Sequence, residues 1–289
     1  MSVAKLNIAS VLVGDSKQDF RLRTPDAQDA NARLDLLVAC VHQAVTAGCR
    51  VVVLPAGFFV VASCAERDAL EQVCLAQLAG EPILVAFGID VRPAKKGGAR
   101  KGDVEETPGD KFSVGKASAA SEQAGYDLFG YVVEAGQFLI SRIAQTGITT
   151  EEVQRTISDA ECDARCKSSR LLGGAKVALL LCGEVRSEAW HTAMGTRAPD
   201  LVLHLAHASV PLGGTSNESW TKSVDGLMQE LPGTAVWAFA DHIRAMGHWD
   251  SASGLVPLVR RVCGASVPQV SADPVAHEIP ATMYVYAAA

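Results

Sequence analysis

The sequence predicts an α/β fold, and three observations carry that expectation. Apolar, strand-like runs alternate with segments of helical periodicity at the spacing of strand–helix–strand units. Several of the runs, such as Arg50-Val-Val-Val-Leu-Pro55 and Lys176-Val-Ala-Leu-Leu-Leu-Cys182, are apolar without interruption, as a strand covered on both faces requires. The chain is also large and apolar enough, at 289 residues and 48% hydrophobic, to bury a substantial core.

In chain order, residues 6–13 alternate and then run apolar, which predicts a first strand. Residues 27–48 repeat apolar side chains at Ala32, Leu34, Leu37, Val38, Val41, Ala44 and Val45, a helix stopped at Gly48. The strand at 50–55 ends on Pro55, residues 66–79 return to helical periodicity, and 82–90 form another buried strand. Residues 126–142 read as two short strands around a turn at Glu134-Ala-Gly136. A helix over 149–166 is expected from the capping-box pattern Thr149-Thr-Glu-Glu152. The strand 176–182, a helix over 186–195, the strand 201–206, a helix over 220–231 and a strand over 235–240 follow. Beyond them, Pro257, Pro268 and Pro274 break the chain into hairpins and an extended tail.

The stretch 92–125 stands apart. It is rich in Gly, Lys, Glu and Ser and poor in large aliphatics, so it reads as a flexible insertion in one domain spanning 1–289. Half of the ten lysines lie between Lys95 and Lys116. The net charge of -6 argues against nucleic acid or an anionic membrane as partner, and no apolar run reaches the length of a spanning helix. With no signal-peptide pattern at the N-terminus, the eight scattered cysteines read as reduced thiols in a cytoplasmic protein. Cys162 and Cys166 fall on one face of the expected helix, but no second ligand pair follows at metal-site spacing, so neither a metal nor a cofactor is expected. A nucleotide-binding reading lacks any Gly-x-Gly-x-x-Gly after the first strand.

The segment Leu180-Leu-Cys182-Gly-Glu-Val-Arg186 carries the chemistry. Cys182 leaves the end of a buried strand just before a helix, where amide groups would favour a thiolate or hold an oxyanion. His204 and His207 lie on the following strand segment, with Asp200 just before it, and either histidine is a candidate base; on a strand the two face opposite sides.

Together these features resemble the nitrilase, or carbon–nitrogen hydrolase, superfamily over nearly the whole chain. Leu6–Val13 and Asn31, with a helix ending in Ala47-Gly48, are similar to its N-terminal pattern. Val51-Val-Val-Leu-Pro-Ala-Gly-Phe-Phe59 resembles its apolar strand, Pro-Glu and aromatic segment, and Phe129–Arg142 the hairpin before its lysine. Cys182-Gly-Glu-Val-Arg186 resembles its nucleophile segment, and Gly247-His248 falls where Gly-His-Ser is common. The resemblance implies a four-layer α-β-β-α sandwich, a homodimer or larger homo-oligomer, and a small amide or nitrile substrate. It implies a glutamate that deprotonates the cysteine, a thioester-type intermediate and a lysine that steadies the developing charge. It assigns Cys182 as nucleophile and Phe58, His207 and His248 to the substrate, with Glu184 as a further catalytic candidate and Glu151 and Glu152 near an additional pocket carboxylate.

The sequence departs from that pattern where the chemistry is done. Ala56 stands where the glutamate is expected, and the first carboxylate after Leu54 is Glu66. The lysine is expected near 142–145, which reads Arg142-Ile-Ala-Gln145, and no lysine occurs between Lys116 and Lys167. Arg142 is the candidate replacement cation, although a guanidinium does not readily exchange a proton. Gly183 also replaces a larger side chain. Two functions follow: a hydrolase using Cys182 with its partners replaced, or a catalytically inactive nitrilase-fold binding or assembly protein.

Overall fold

β1 (Asn7–Val13) forms from the first alternating run and divides its side chains between two cores, Ala9, Val11 and Val13 on one side and Ile8 on the other. That division is the two-residue period of a strand at work. The computed structural model describes residues 6–14, 27–92, 127–145, 157–206, 215–242, 259–261 and 267–287. Of the expected insertion at 92–125, residues 93–125 lie outside the described residues.

One sheet takes β1 as its centre. On one side it continues through β2 (Val51–Val53), β4 (Leu84–Val91), β5 (Asp127–Glu134) and β6 (Gln137–Ala144), and β3 (Phe59–Val61) also pairs with β4. On the other it continues through β13 (Ala281–Ala287) and β12 (Gln269–Pro274). The second sheet runs β7 (Cys166–Ser168), β8 (Lys176–Leu181), β9 (Leu201–Leu205), β10 (Val236–His242) and β11 (Val259–Arg261). The sheets join where the end of β1 pairs with β10 at Leu12–Asp241 and Val13–His242.

Three apolar layers hold this arrangement. Helices α1 (Ala27–Thr46) and α2 (Cys64–Gln77) cover the first sheet through Leu36, Leu37, Val41 and Cys74. The inner faces of the sheets meet through Val51, Leu84, Val132, Val177, Leu179, Leu203 and Ala238. Helices α3 (Asp159–Arg165), α4 (Glu188–Arg197) and α5 (Thr215–Glu230) cover the second sheet through Cys162, Trp190, Met194 and Leu227. The result is the four-layer α-β-β-α sandwich that the sequence implied.

Local differences have local causes. Of the helix expected over 149–166, the described residues 157–166 hold α3 at Asp159–Arg165, and residues 149–156 lie outside the described residues. Ser158 accepts from the Glu161 amide while the Glu161 carboxylate accepts from the Ser158 amide, closing a capping box there. The pattern at 149–152 lies outside the described residues. Cys166 has already turned to extended backbone and begins β7, so Cys162 and Cys166 do not share a helical face. The helix expected at 186–195 is a 3₁₀ turn over Cys182–Arg186 followed by α4, and α5 starts at Thr215 instead of 220. The three-residue strands β3 and β7 are too short for periodicity to mark.

Two glycines set the spacing near the candidate site. Gly88 on β4 pairs with Gly130 on β5, and Gly130 pairs with Ile143 on β6. A Cβ at Gly88 would stand 2.8 Å from the Ala56 Cα, and one at Gly130 would stand 2.6 Å from the Leu181 Cδ2. A packed row therefore runs from Ala56 through Gly88 and Gly130 to Leu181, the residue before Cys182.

Candidate functional site

The site is built on the end of β8. Val177, Leu179 and Leu181 point into the inter-sheet core and Ala178 and Leu180 point toward the helices, so the strand is buried on both faces. At Cys182 the backbone turns to φ 44, the left-handed region that a residue with a Cβ rarely adopts. The half-buried Cys182 packs against the inter-sheet core. The expected field of helix-start amides at the thiol is replaced by a different arrangement. The 3₁₀ turn intervenes, and α4 starts at Glu188, where the Ser187 hydroxyl accepts from the Trp190 amide.

Side chains hold this turn from several directions. The buried Glu184 carboxylate accepts from the Leu181 amide at 2.8 Å and from both terminal nitrogens of Arg165 at 2.7 and 2.8 Å. Arg165 also donates to the Ala144 carbonyl at 2.8 Å, and its guanidinium carbon lies 4.4 Å from the centre of the Trp190 ring. One buried arginine thus ties the end of β6 to the cysteine turn. From the helix side, His204 Nε2 lies 2.8 Å from the Cys182 carbonyl and His191 Nε2 lies 2.6 Å from the Val185 carbonyl. A carbonyl only accepts, so each ring nitrogen is the donor.

The predicted site residues separate. Cys182 and Ala56 share the inter-sheet core. Glu184 is bound to Arg165 in a pair whose side chains are 0% and 3% exposed. Arg142, also at positive φ (52), turns toward α2. Its guanidinium bonds to Glu71 at 2.9, 3.1 and 2.5 Å and lies 2.9 Å from an Asp68 oxygen, while the Tyr131 hydroxyl donates to Glu71 at 2.7 Å. A register irregularity between Gly130 and Val132 accompanies this turn. The β6 side chain that faces the inter-sheet core opposite Gly130 is Ile143. Phe58 is fully buried between the first sheet and its helices, edge-on to Phe59 at 4.9 Å. Its carbonyl accepts from Arg33, which pairs with Asp29 at 2.8 Å. His207 and His248 lie outside the described residues, as do Glu151 and Glu152.

His204 is a core residue on the helix side of β9. Its ring packs beside Trp237 at 5.8 Å and Phe239 at 5.3 Å. Burial pushes its pKa down from 6.5 to about 4, and burial lowers that of His191 as well. The folded state therefore holds neutral His204 while the unfolded chain binds a proton below pH 6.5. Stability is present above 6.5 and is lost as pH falls toward 4, by about 3 kcal/mol from this group. Urea denaturation of the wild type and His204→Gln at pH 7.0 and 4.5 checks this. The difference in unfolding free energy between the two proteins should shift by about 2.4 kcal/mol in favour of the variant at low pH, and a constant difference would refute it.

Arg165, His191 and Ile143 escaped the sequence reading. Arg165 carries only the weak signal of a cation in the last turn of a helix, and no local pattern marks the others. The seven cysteines among the described residues are free thiols. Among the described residues no His, Cys, Asp and Glu cluster fits a metal ion, and no helix is long and apolar enough to cross a membrane.

Comparison with known proteins places this geometry in context. No protein-family model and no curated protein matches the chain. Solved structures do. An amidase from Nesterenkonia sp. aligns at TM-score 0.58 and 13% identity, over 100% of this chain and 92% of that one. A Cys-to-Ala mutant of the Nesterenkonia AN1 amidase from the nitrilase superfamily aligns at TM-score 0.57 and 14% identity, over 98% and 91% of the two chains. A Glu-to-Gln mutant of the amidase, with the acetamide moiety of fluoroacetamide covalently added at its active-site cysteine, gives the same values. The chain has the nitrilase-superfamily fold over nearly its whole length.

Proposed function

We propose that this nitrilase-fold chain takes a small amide or nitrile onto Cys182 as a thioester-type adduct and releases it slowly. The observation that carries the reading is the Cys182 backbone, a cysteine at positive φ on the end of a buried strand. Such a conformation costs on the order of 1–3 kcal/mol and persists where the surroundings over-determine it. The amidase structures of the same fold, one with an adduct on its active-site cysteine, support an amide-type substrate.

The chemistry divides at the proton transfers. With an amide, the thiolate attacks the carbonyl carbon, the C–N bond breaks, and the amine leaves with a proton; water then cleaves the thioester. A carboxylate serves both proton transfers and a cation steadies the oxyanion. Here Ala56 and Ile143 stand in the inter-sheet core against which Cys182 packs, and Arg142 and Glu184 are engaged in ion pairs. The nucleophile is kept without the usual glutamate and lysine, so both acylation and hydrolysis are slow and the thioester, once formed, persists. In this reading residues 1–289 are one domain, Arg142 and Glu184 are structural, and His207 and His248 contact the substrate. Phe58 shapes the site from behind.

The test is thiol labelling of the full chain with iodoacetamide at pH 7.5, followed by peptide mass spectrometry. Burial pushes Cys40 and Cys74 up to about 12 and Cys49 to about 11, so these compete poorly, while the exposed Cys64 is an internal reference. Cys182 is expected to label at least tenfold faster than Cys64. A p-nitrophenyl acetate assay should show a burst of about one equivalent per chain, absent in Cys182→Ala. Labelling of Cys182 no faster than Cys64, with no burst, would overturn the proposal. Ala56 and Ile143 favour the second reading in that event, a non-hydrolytic binding or assembly protein forming a homodimer or larger homo-oligomer, measurable by sedimentation.

A further inference from the structure

We propose that His204 is a positioning residue for Cys182, holding the nucleophile's backbone from the opposite side of the sheet. This rests on the reading of Cys182 as nucleophile. The ring belongs to the helix-side face of β9, among Trp237 and Phe239, whereas Cys182 packs against the inter-sheet core. Its Nε2–H reaches the Cys182 carbonyl at 2.8 Å. The parallel register of β8 and β9 sets Leu180 beside His204, so the ring spans forward to the carbonyl two residues further on, where the strand has ended.

That carbonyl belongs to the residue at φ 44 and has left the ladder of β8. It opens the 3₁₀ turn Cys182–Arg186, and a donor supplied by a rigid, fully buried ring beside the bonds of that turn restricts the peptide plane that follows the left-handed residue. On the preceding side, Glu184, backed by Arg165, takes the Leu181 amide. His191 takes the Val185 carbonyl at the far end of the turn. The turn is gripped before, at and after Cys182, and the His204 bond is made to Cys182 itself. Proton transfer to or from the thiol is not its task in this reading, because the ring stands on the helix-side face while Cys182 packs against the inter-sheet core.

The experiment separates positioning from base catalysis and from packing. His204→Gln keeps an amide donor near the Nε2 position but cannot act as a base. His204→Leu keeps bulk and removes the donor. Trp237→Phe perturbs the packing around the ring and keeps the bond. Two readouts are taken on full-length protein at equal folded fraction. These are hydrogen exchange in a peptide spanning 180–187, and the pH profile of Cys182 labelling by iodoacetamide, with Cys64 as reference. His204→Leu should raise exchange at least tenfold in that peptide, leave α1 unchanged and slow Cys182 labelling at least tenfold. His204→Gln should restore both to within threefold with the same pH midpoint, and Trp237→Phe should leave both in place. Exchange in 180–187 unchanged by His204→Leu, or His204→Gln as impaired as His204→Leu, overturns the proposal. If wild-type Cys182 labels like an ordinary thiol while exchange still responds, the nucleophile reading falls and the positioning role stands. Should His204→Leu fail to fold, His204→Asn, whose shorter amide stops short of the carbonyl, is compared with His204→Gln on the same readouts. Equal exchange in those two would also overturn it.

Discussion

Arg165→Leu is expected to lower stability by about 3–5 kcal/mol, the cost of leaving one partner of a buried ion pair alone. For a chain of this size that corresponds to a fall in Tm of roughly 10 °C. The reason is the position of Glu184. Its side chain is 0% exposed, and Arg165 supplies two of its hydrogen bonds beside the one from the Leu181 amide. A buried carboxylate that loses its guanidinium partner loses its strongest compensation for desolvation. Arg165 also bonds to Ala144 and lies over Trp190, so β6, α4 and the cysteine turn loosen together. Arg165→Leu combined with Glu184→Gln removes the orphaned charge while a side-chain oxygen still accepts from Leu181. It should recover at least half of the loss, measured by urea and thermal denaturation. A single-variant loss below 1 kcal/mol would show that the pair is not what holds the turn.

The combination of Ala56→Glu and Ile143→Lys is expected to raise turnover of small aliphatic amides by about 10²–10⁴, the usual contribution of a placed acid–base group. Both positions lie on inner faces of the first sheet, in the core against which Cys182 packs. The Ala56–Gly57 backbone is pinned against Gly88, so a side chain added at 56 cannot be accommodated by moving the chain toward β4. Ala56→Glu alone should destabilise by several kcal/mol, because a carboxylate replaces a methyl in an apolar core. The added lysine should recover at least 1 kcal/mol of that in a double-mutant cycle. Steady-state amidase assays with Cys182→Ala in the same background are the control. A folded double variant with neither coupling nor added turnover would mean that the two positions do not meet at Cys182.

The two expectations differ in how far the sequence reaches them. Strand identities were legible because burial on two faces requires uninterrupted apolar runs, as in Val51–Val53 and Lys176–Leu181. Ala56 in the inter-sheet core was legible as the residue after Pro55, which ends the apolar run 50–55. The side of Arg142 was not. A left-handed residue and a register shift in β6 break the alternation that tells inside from outside, and Ile143 takes the inward place. The start of α3 was not legible, because its capping box at Ser158–Glu161 repeats a pattern that the sequence also offers at 149–152.

By itself, the sequence determined the α/β layering, the position of Cys182 at the end of a buried strand, and the lack of a carboxylate between Leu54 and Glu66 and of a lysine between Lys116 and Lys167. All of these are carried by residue type and local periodicity. Only the tertiary structure decided what surrounds the cysteine. Arg142 meets Glu71 across 71 residues, Arg165 meets Glu184 across 19, and His204 meets the Cys182 carbonyl across 22. A charged or polar side chain buried by folding takes whichever partner the packed layers bring within hydrogen-bond reach. That choice is made by strand register and helix docking, which leave no mark on the neighbouring residues in the chain.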